Sequence, residues 1–144
     1  MLDIPGLPWT PLSEEITVFT PLAAYSGFSV DDTATARAFY RETLGLEVHE
    51  NERGFLELVL GSGAHVLVYE TPGHAPAGFT ILNFPVDDVD SAVEDLRARG
   101  VETKIYSDEE FPSDERGIVR GGDRGPDIAW FRDPAGNVLS VLQP

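Results

Sequence analysis

Cysteine is absent from the 144-residue chain, which excludes thiol catalysis, zinc thiolate sites and iron–sulfur clusters. Basic residues are scarce: 10 lysines and arginines stand against 25 acidic residues, a formal net charge of −15. A field of that sign repels phosphate backbones, so no nucleic-acid partner is expected. The same field attracts cationic ligands, and it equally serves solubility. Long apolar runs are missing as well. None approaches the roughly 20 residues that cross a bilayer, so no membrane partner is expected. The first residues carry Asp3 and two early prolines without a basic stretch, which reads as no secretory signal and a cytoplasmic location.

What is present is an ordinary globular composition, 42% hydrophobic and 24% charged, in a length that suits one domain. Within it Phe28-Ser-Val-Asp-Asp32 returns as Phe84-Pro-Val-Asp-Asp88. Each copy precedes a helical pattern ending in glycine, then short apolar strands. The repeat predicts a fold built by duplication, with a seam between halves where a ligand can sit. Residues 1–21 read as an irregular N-terminal arm rich in proline. Its apolar Trp9, Ile16, Val18 and Phe19 are expected to pack on the body or on a partner subunit. Residues 22–144 read as the domain, with units at about 22–70 and 79–143.

In the first unit, 22–30 reads as a strand, and Asp31, Asp32 and Thr33 offer caps for a helix carrying Ala36, Phe39, Tyr40 and Leu44 at helical spacing. Gly45 stands at the helix end. Strands are predicted over 46–50, 55–60 and 65–70. In the second unit the strand is 79–86, the helix is capped by Asp88 or Asp90, and Gly100 ends it. Further strands are predicted over 101–106, 127–131 and 138–142, the last two joined through the turn Asp133-Pro-Ala-Gly-Asn137. The intervening stretch, 107–126, is acidic and then glycine-rich. Two readings stand for it: a lid over a cavity, or a flexible excursion. The aspartate pairs are read as helix caps. No nucleophile elbow occurs, and Gly121-Gly-Asp-Arg-Gly125 lacks the lysine of a phosphate-binding loop.

The order strand–helix–strand–strand–strand, twice, with Val30-Asp-Asp32, Phe39-Tyr40, Leu44-Gly-Leu46, Val86-Asp-Asp88, Gly100-Val101 and Asp133-Pro-Ala-Gly-Asn137, resembles the vicinal oxygen chelate superfamily. That group includes glyoxalases, extradiol dioxygenases and the bleomycin and fosfomycin resistance proteins. The resemblance implies an α+β fold of two βαβββ units, whose sheets form a cup-shaped half-barrel pair with helices outside. It also implies a pocket holding a divalent metal on His and Glu side chains, one on the first and one on the last strand of each unit.

The sequence departs from that ligand set. Counting back from the Val-x-Asp motifs reaches Tyr25 and Ile81, and the closing-strand equivalents are Leu67 and Ser140. Of the neighbours on the same faces, His65, Tyr69 and Asn83, only His65 is a good ligand. No metal and no other cofactor is therefore expected. His49 and His74 are read as surface or packing residues. Strand alternation instead assembles a pocket from Tyr25, His65, Leu67, Tyr69, Ile81, Asn83 and Ser140, with Trp130 joining its wall. The expected function is a metal-free small-molecule binding protein that sequesters an aromatic or cationic compound, working as a homodimer. The alternative is a metal-dependent lyase, isomerase or dioxygenase with nonstandard ligands. A domain with a closed pocket, acting through protein contacts, is a third reading.

Overall fold

The computed structural model describes residues 18–144. Two open sheets carry the chain. The first holds β1 (Ser26–Val30), β2 (Glu47–Glu50), β3 (Leu56–Val59) and β4 (His65–Glu70) in the spatial order β1-β4-β3-β2. The second holds β5 (Thr80–Pro85), β6 (Asp127–Arg132) and β7 (Val138–Gln143) in the order β5-β7-β6. In each sheet the first strand runs parallel to the last, which pairs antiparallel with the strand before it. This is the α+β arrangement that the duplicated pattern predicts.

The helices form where local chemistry places them. Asp32 accepts from the amides of Ala34 and Thr35 and starts α1 (Thr33–Ala38), which widens into a π-type turn over Phe39–Thr43. Asp88, rather than Asp90, caps α2 (Val89–Ala98) by accepting from Ser91 N–H. Each cap is worth about 1 kcal/mol. Both helices bury one stripe: Ala36 and Tyr40 from the first, Val89, Val93 and Leu96 from the second. These meet the inner faces of the strands, Phe28, Leu56, Leu58, Val66 and Val68 in one unit and Ala129, Phe131, Leu139 and Val141 in the other. One continuous core results.

The units are joined by polar contacts at the turn between β6 and β7. The buried Asp133 carboxylate accepts from Tyr40 Oη at 2.6 Å, from the amides of Ala135 and Asn137 at 2.9 Å each, and from Asn137 Nδ2 at 3.0 Å. Asn137 Nδ2 also donates to the Ser29 carbonyl of β1 at 2.9 Å. His74 completes the join. Its Nε2–H donates to the Ala135 carbonyl at 3.0 Å, which leaves Nδ1 to accept from the Ser29 hydroxyl at 2.7 Å. His74, expected as a surface or packing residue, thus packs as a staple between units.

One predicted strand does not form. Residues 101–106 join no ladder, because the returning loop takes the place beside β6: Val119 and Ile128 exchange backbone hydrogen bonds of 2.8 and 3.0 Å. The loop lies tightly on the displaced segment. Gly117 has φ of +89°, and a Cβ there would fall 2.0 Å from the Thr103 carbonyl oxygen, so only glycine fits. Most of the predicted arm, Trp9 and Ile16 included, lies outside the described residues. Val18, Phe19 and Leu22 lie within them, and all three are exposed rather than packed on the body.

Candidate ligand-binding site

Alternation decides what the open face of the first sheet presents. With Phe28, Val66, Val68, Leu56 and Leu58 turned to the core, the opposite face receives Gly27, Leu67, His65 and Glu57. Gly27, Leu67, Glu57 and His49 stand in one cross-strand row, and His65, Val59 and Glu47 in the next. Against this face lies a cavity of about 520 Å³ lined by Ala23, Ala24, Tyr25, Asn51, Glu57, Gly63, Ala64, His65 and Leu67. Its size and mixture of apolar walls with a few polar groups suit a small molecule. Gly27 leaves room beside Leu67, since a Cβ would approach the Leu67 carbonyl oxygen to 3.1 Å.

Two imidazole–carboxylate pairs lie on this face, one of them in the cavity wall. His65 Nδ1 lies 3.3 Å from Glu57 Oε1, and on the neighbouring strand His49 Nε2 lies 2.5 Å from Glu47 Oε2. All four side chains keep substantial contact with solvent. Tyr25, 68% exposed, stands at the mouth, just before β1.

The corresponding face of the second sheet is occupied by the protein itself. Asn83, Ser140 and Trp130 form a single cross-strand row. Ser140 is fully buried and donates to Asn83 Oδ1 at 2.6 Å, while Trp130 Nε1–H donates to Thr80 Oγ1 at 3.1 Å. Over the indole fold Tyr106 and Phe111, with ring centroids 5.4 and 4.8 Å from Trp130 and 5.0 Å from each other. The recess lined by Tyr106, Phe111 and Trp130 holds about 10 Å³.

The loop that delivers Phe111 is anchored. Arg120 and Arg116 both donate to Asp90 at the start of α2, at 2.7 Å each, and Arg116 also reaches Asp114 and Glu94. Hydrogen bonds from Arg120 and then Arg116 lower the Asp90 carboxyl to about 2. Asp114 further accepts from the amides of Arg116 and Ile118, and Ile118 is buried. The segment 107–126 thus makes contacts at both the aromatic cluster and the ion network.

The eight residues expected at a common pocket therefore divide. Tyr25, His65 and Leu67 line the large cavity. Tyr69 shares their strand but packs against Phe55, centroids 6.3 Å apart. Asn83, Ser140 and Trp130 lie together on the other sheet. Ile81 falls at a bulge where β5 shifts register against β7 between Thr80 and Leu82, and it packs on the core. Glu57 and Asn51 belong to the cavity although the sequence reading did not single them out. Parity on β3 would have found Glu57, whereas Asn51 depends on the turn after β2.

The donor chemistry does not fit a hard or borderline divalent ion. The first- and last-strand positions of the two units, Tyr25, Leu67, Ile81 and Ser140, offer a phenol, two aliphatic chains and a buried, hydrogen-bonded serine. Among the described residues no three His, Asp or Glu side chains converge as a ligand set.

The profile of the Glyoxalase/Bleomycin resistance protein/Dioxygenase superfamily matches residues 23–141. The chain belongs to this superfamily. Solved structures agree on the fold. A superfamily member from Sphaerobacter thermophilus is 23% identical with a TM-score of 0.64, covering 85% of this chain and 98% of its own. TnmS3, an antibiotic-binding protein of a Streptomyces species, is 25% identical with a TM-score of 0.58, over 87% and 98%. The fosfomycin resistance protein FosX of Listeria monocytogenes is 16% identical with a TM-score of 0.62, over 88% and 95%. No curated protein matches by sequence.

Proposed function

We propose that this superfamily member is a metal-free binding protein that sequesters a small aromatic or cationic compound in the cavity of its first unit. The observation that carries the reading is the cavity itself: about 520 Å³ on an open sheet face, lined by Tyr25, His65 and Leu67 with Glu57 and Asn51 beside them. Apolar wall supplies burial, and the convergent polar groups supply orientation. The donor set supports binding without a metal. The antibiotic-binding description of TnmS3 is in keeping with this use of the fold.

The second unit contributes less to ligand contact than its counterpart, because Phe111 and Tyr106 already cover Trp130. Homodimerisation belongs to the same proposal, supported by the exposed Val18, Phe19 and Leu22 at the start of the described chain. Sedimentation as a monomer at micromolar concentration would remove that part.

Calorimetry against a panel of cationic glycopeptides and planar aromatic compounds tests the binding. Stoichiometric heat with at least one class is expected, and silence across the panel defeats the proposal. A rival reading, metal-dependent catalysis with nonstandard ligands, draws on the imidazole and carboxylate in the cavity wall, His65 and Glu57. Elemental analysis of the purified protein separates the two: a stoichiometric divalent metal favours the rival.

A further inference from the structure

Within the cavity just described, we infer that Glu57 reads the charge of the ligand and that His65 sets when it can do so, so that the bound compound is an organic monocation with an apolar or aromatic body. The inference rests on the proposed binding function and sharpens it.

Among the described lining residues Glu57 is the one carboxylate, and neither lysine nor arginine is present. The rest of the wall is alanine, glycine, leucine, a phenol, an amide and an imidazole. A neutral ligand would draw no charge-assisted contact from the carboxylate. An anion would meet it without a countercharge. An ammonium or amidinium beside Glu57 gains a charge-assisted hydrogen bond, while its body rests on Leu67 and Tyr25. The overall charge of −15 draws such a ligand in from solution.

His65 competes for the same oxygen. Its Nδ1 is 3.3 Å from Glu57 Oε1. Imidazole is the side chain that changes charge between pH 5 and 8. Protonated, His65 would pair with Glu57 and place a positive charge beside an incoming cation; neutral, it leaves the carboxylate to the ligand. The other groups facing Glu57 act in known directions. From β2, His49 stands opposite it in register but is paired with Glu47. From the segment before β1 comes the Tyr25 phenol, and from β4 beyond His65 the Tyr69 phenol, packed on Phe55.

The test uses two matched probes, 2-naphthylmethylammonium and neutral 2-naphthylmethanol, titrated into the full chain at pH 5 and pH 8 and followed by backbone amide shifts. The ammonium is expected to bind about tenfold tighter than the alcohol at pH 8, and about twofold at pH 5. Glu57→Gln should abolish the preference while both probes still bind, and His65→Gln should keep the full preference at pH 5. Equal binding of both probes to the native chain at pH 8 overturns the role of Glu57 and leaves the pocket standing. Undiminished pH dependence in His65→Gln overturns the role of His65. If neither probe shifts any cavity resonance, the binding site itself is refuted and the inference with it.

Discussion

Tyr40 of the first unit donates its phenolic hydrogen to Asp133 of the second at 2.6 Å, and both side chains are buried. The two residues are 93 positions apart, so this bond closes a long chain segment. Burial, and then the Asp133 charge, raise the phenol far above its usual range. A phenol whose folded-state value is raised gives stability that is intact below the unfolded value near 10 and is lost as pH climbs beyond it. Tyr40→Phe should cost about 1–3 kcal/mol at neutral pH, since Asp133 keeps its other three donors. It should also flatten the alkaline limb of the stability curve between pH 10 and 11. Urea melts across that window check both; an unchanged alkaline limb would show that the phenol is not the group responsible.

Asp90 governs the opposite end of the pH scale. Its carboxyl, held at about 2 by Arg120 and Arg116, contributes stability above its ordinary value and loses that contribution as pH falls toward 2. Asp90→Asn should therefore lower the melting temperature at neutral pH, with the gap to the native chain closing between pH 4 and 2. Thermal melts by circular dichroism at pH 7 and 2.5 supply the comparison.

Gly117 and Gly63 share positive φ but differ in surroundings. A Cβ at Gly117 would meet backbone atoms at 2.0 to 2.8 Å, whereas one at Gly63 would meet nothing within 4 Å. Gly117→Ala should destabilise by more than about 3 kcal/mol or prevent folding, and Gly63→Ala by only about 1 kcal/mol. Similar losses for the two would mean that the loop yields easily.

Leu67 forms the floor of the cavity and is half-buried at the centre of its sheet. Leu67→Trp should fill the recess and weaken binding of the naphthyl probes by at least about tenfold, while the melting temperature changes little. Loss of binding with a preserved melt localises the site; retained affinity displaces it.

Phe111→Ala, made in a Trp9→Phe background so that Trp130 is the sole indole, should shift its emission to the red and raise iodide quenching. An unchanged spectrum would mean that Tyr106 alone shields the ring.

The parts of this fold that were legible in the sequence are those fixed by local physics. Asp32 and Asp88 cap their helices because an aspartate ahead of an amphipathic run has amides within reach. Tyr25, Leu67 and His65 line one cavity because strand parity survives from the motif to the pocket. Parity failed where the backbone breaks it, at the bulge that turns Ile81 onto the core. Pairing failed where a remote segment competes better, as Val119 does for the edge of β6. The partnerships of Asp133 with Tyr40 and of Phe111 with Trp130 have no periodic signature, since they join segments far apart in the chain.

The aromatic cluster makes the two halves of the duplication unequal in what they can receive. Phe111 is covalently tethered to the face it covers, so its local concentration there is on the order of millimolar or more. A free aromatic compound of similar intrinsic affinity competes poorly with it at micromolar concentration. The chain should consequently take up one small molecule rather than two, the second vacancy having been filled from within by its own sequence.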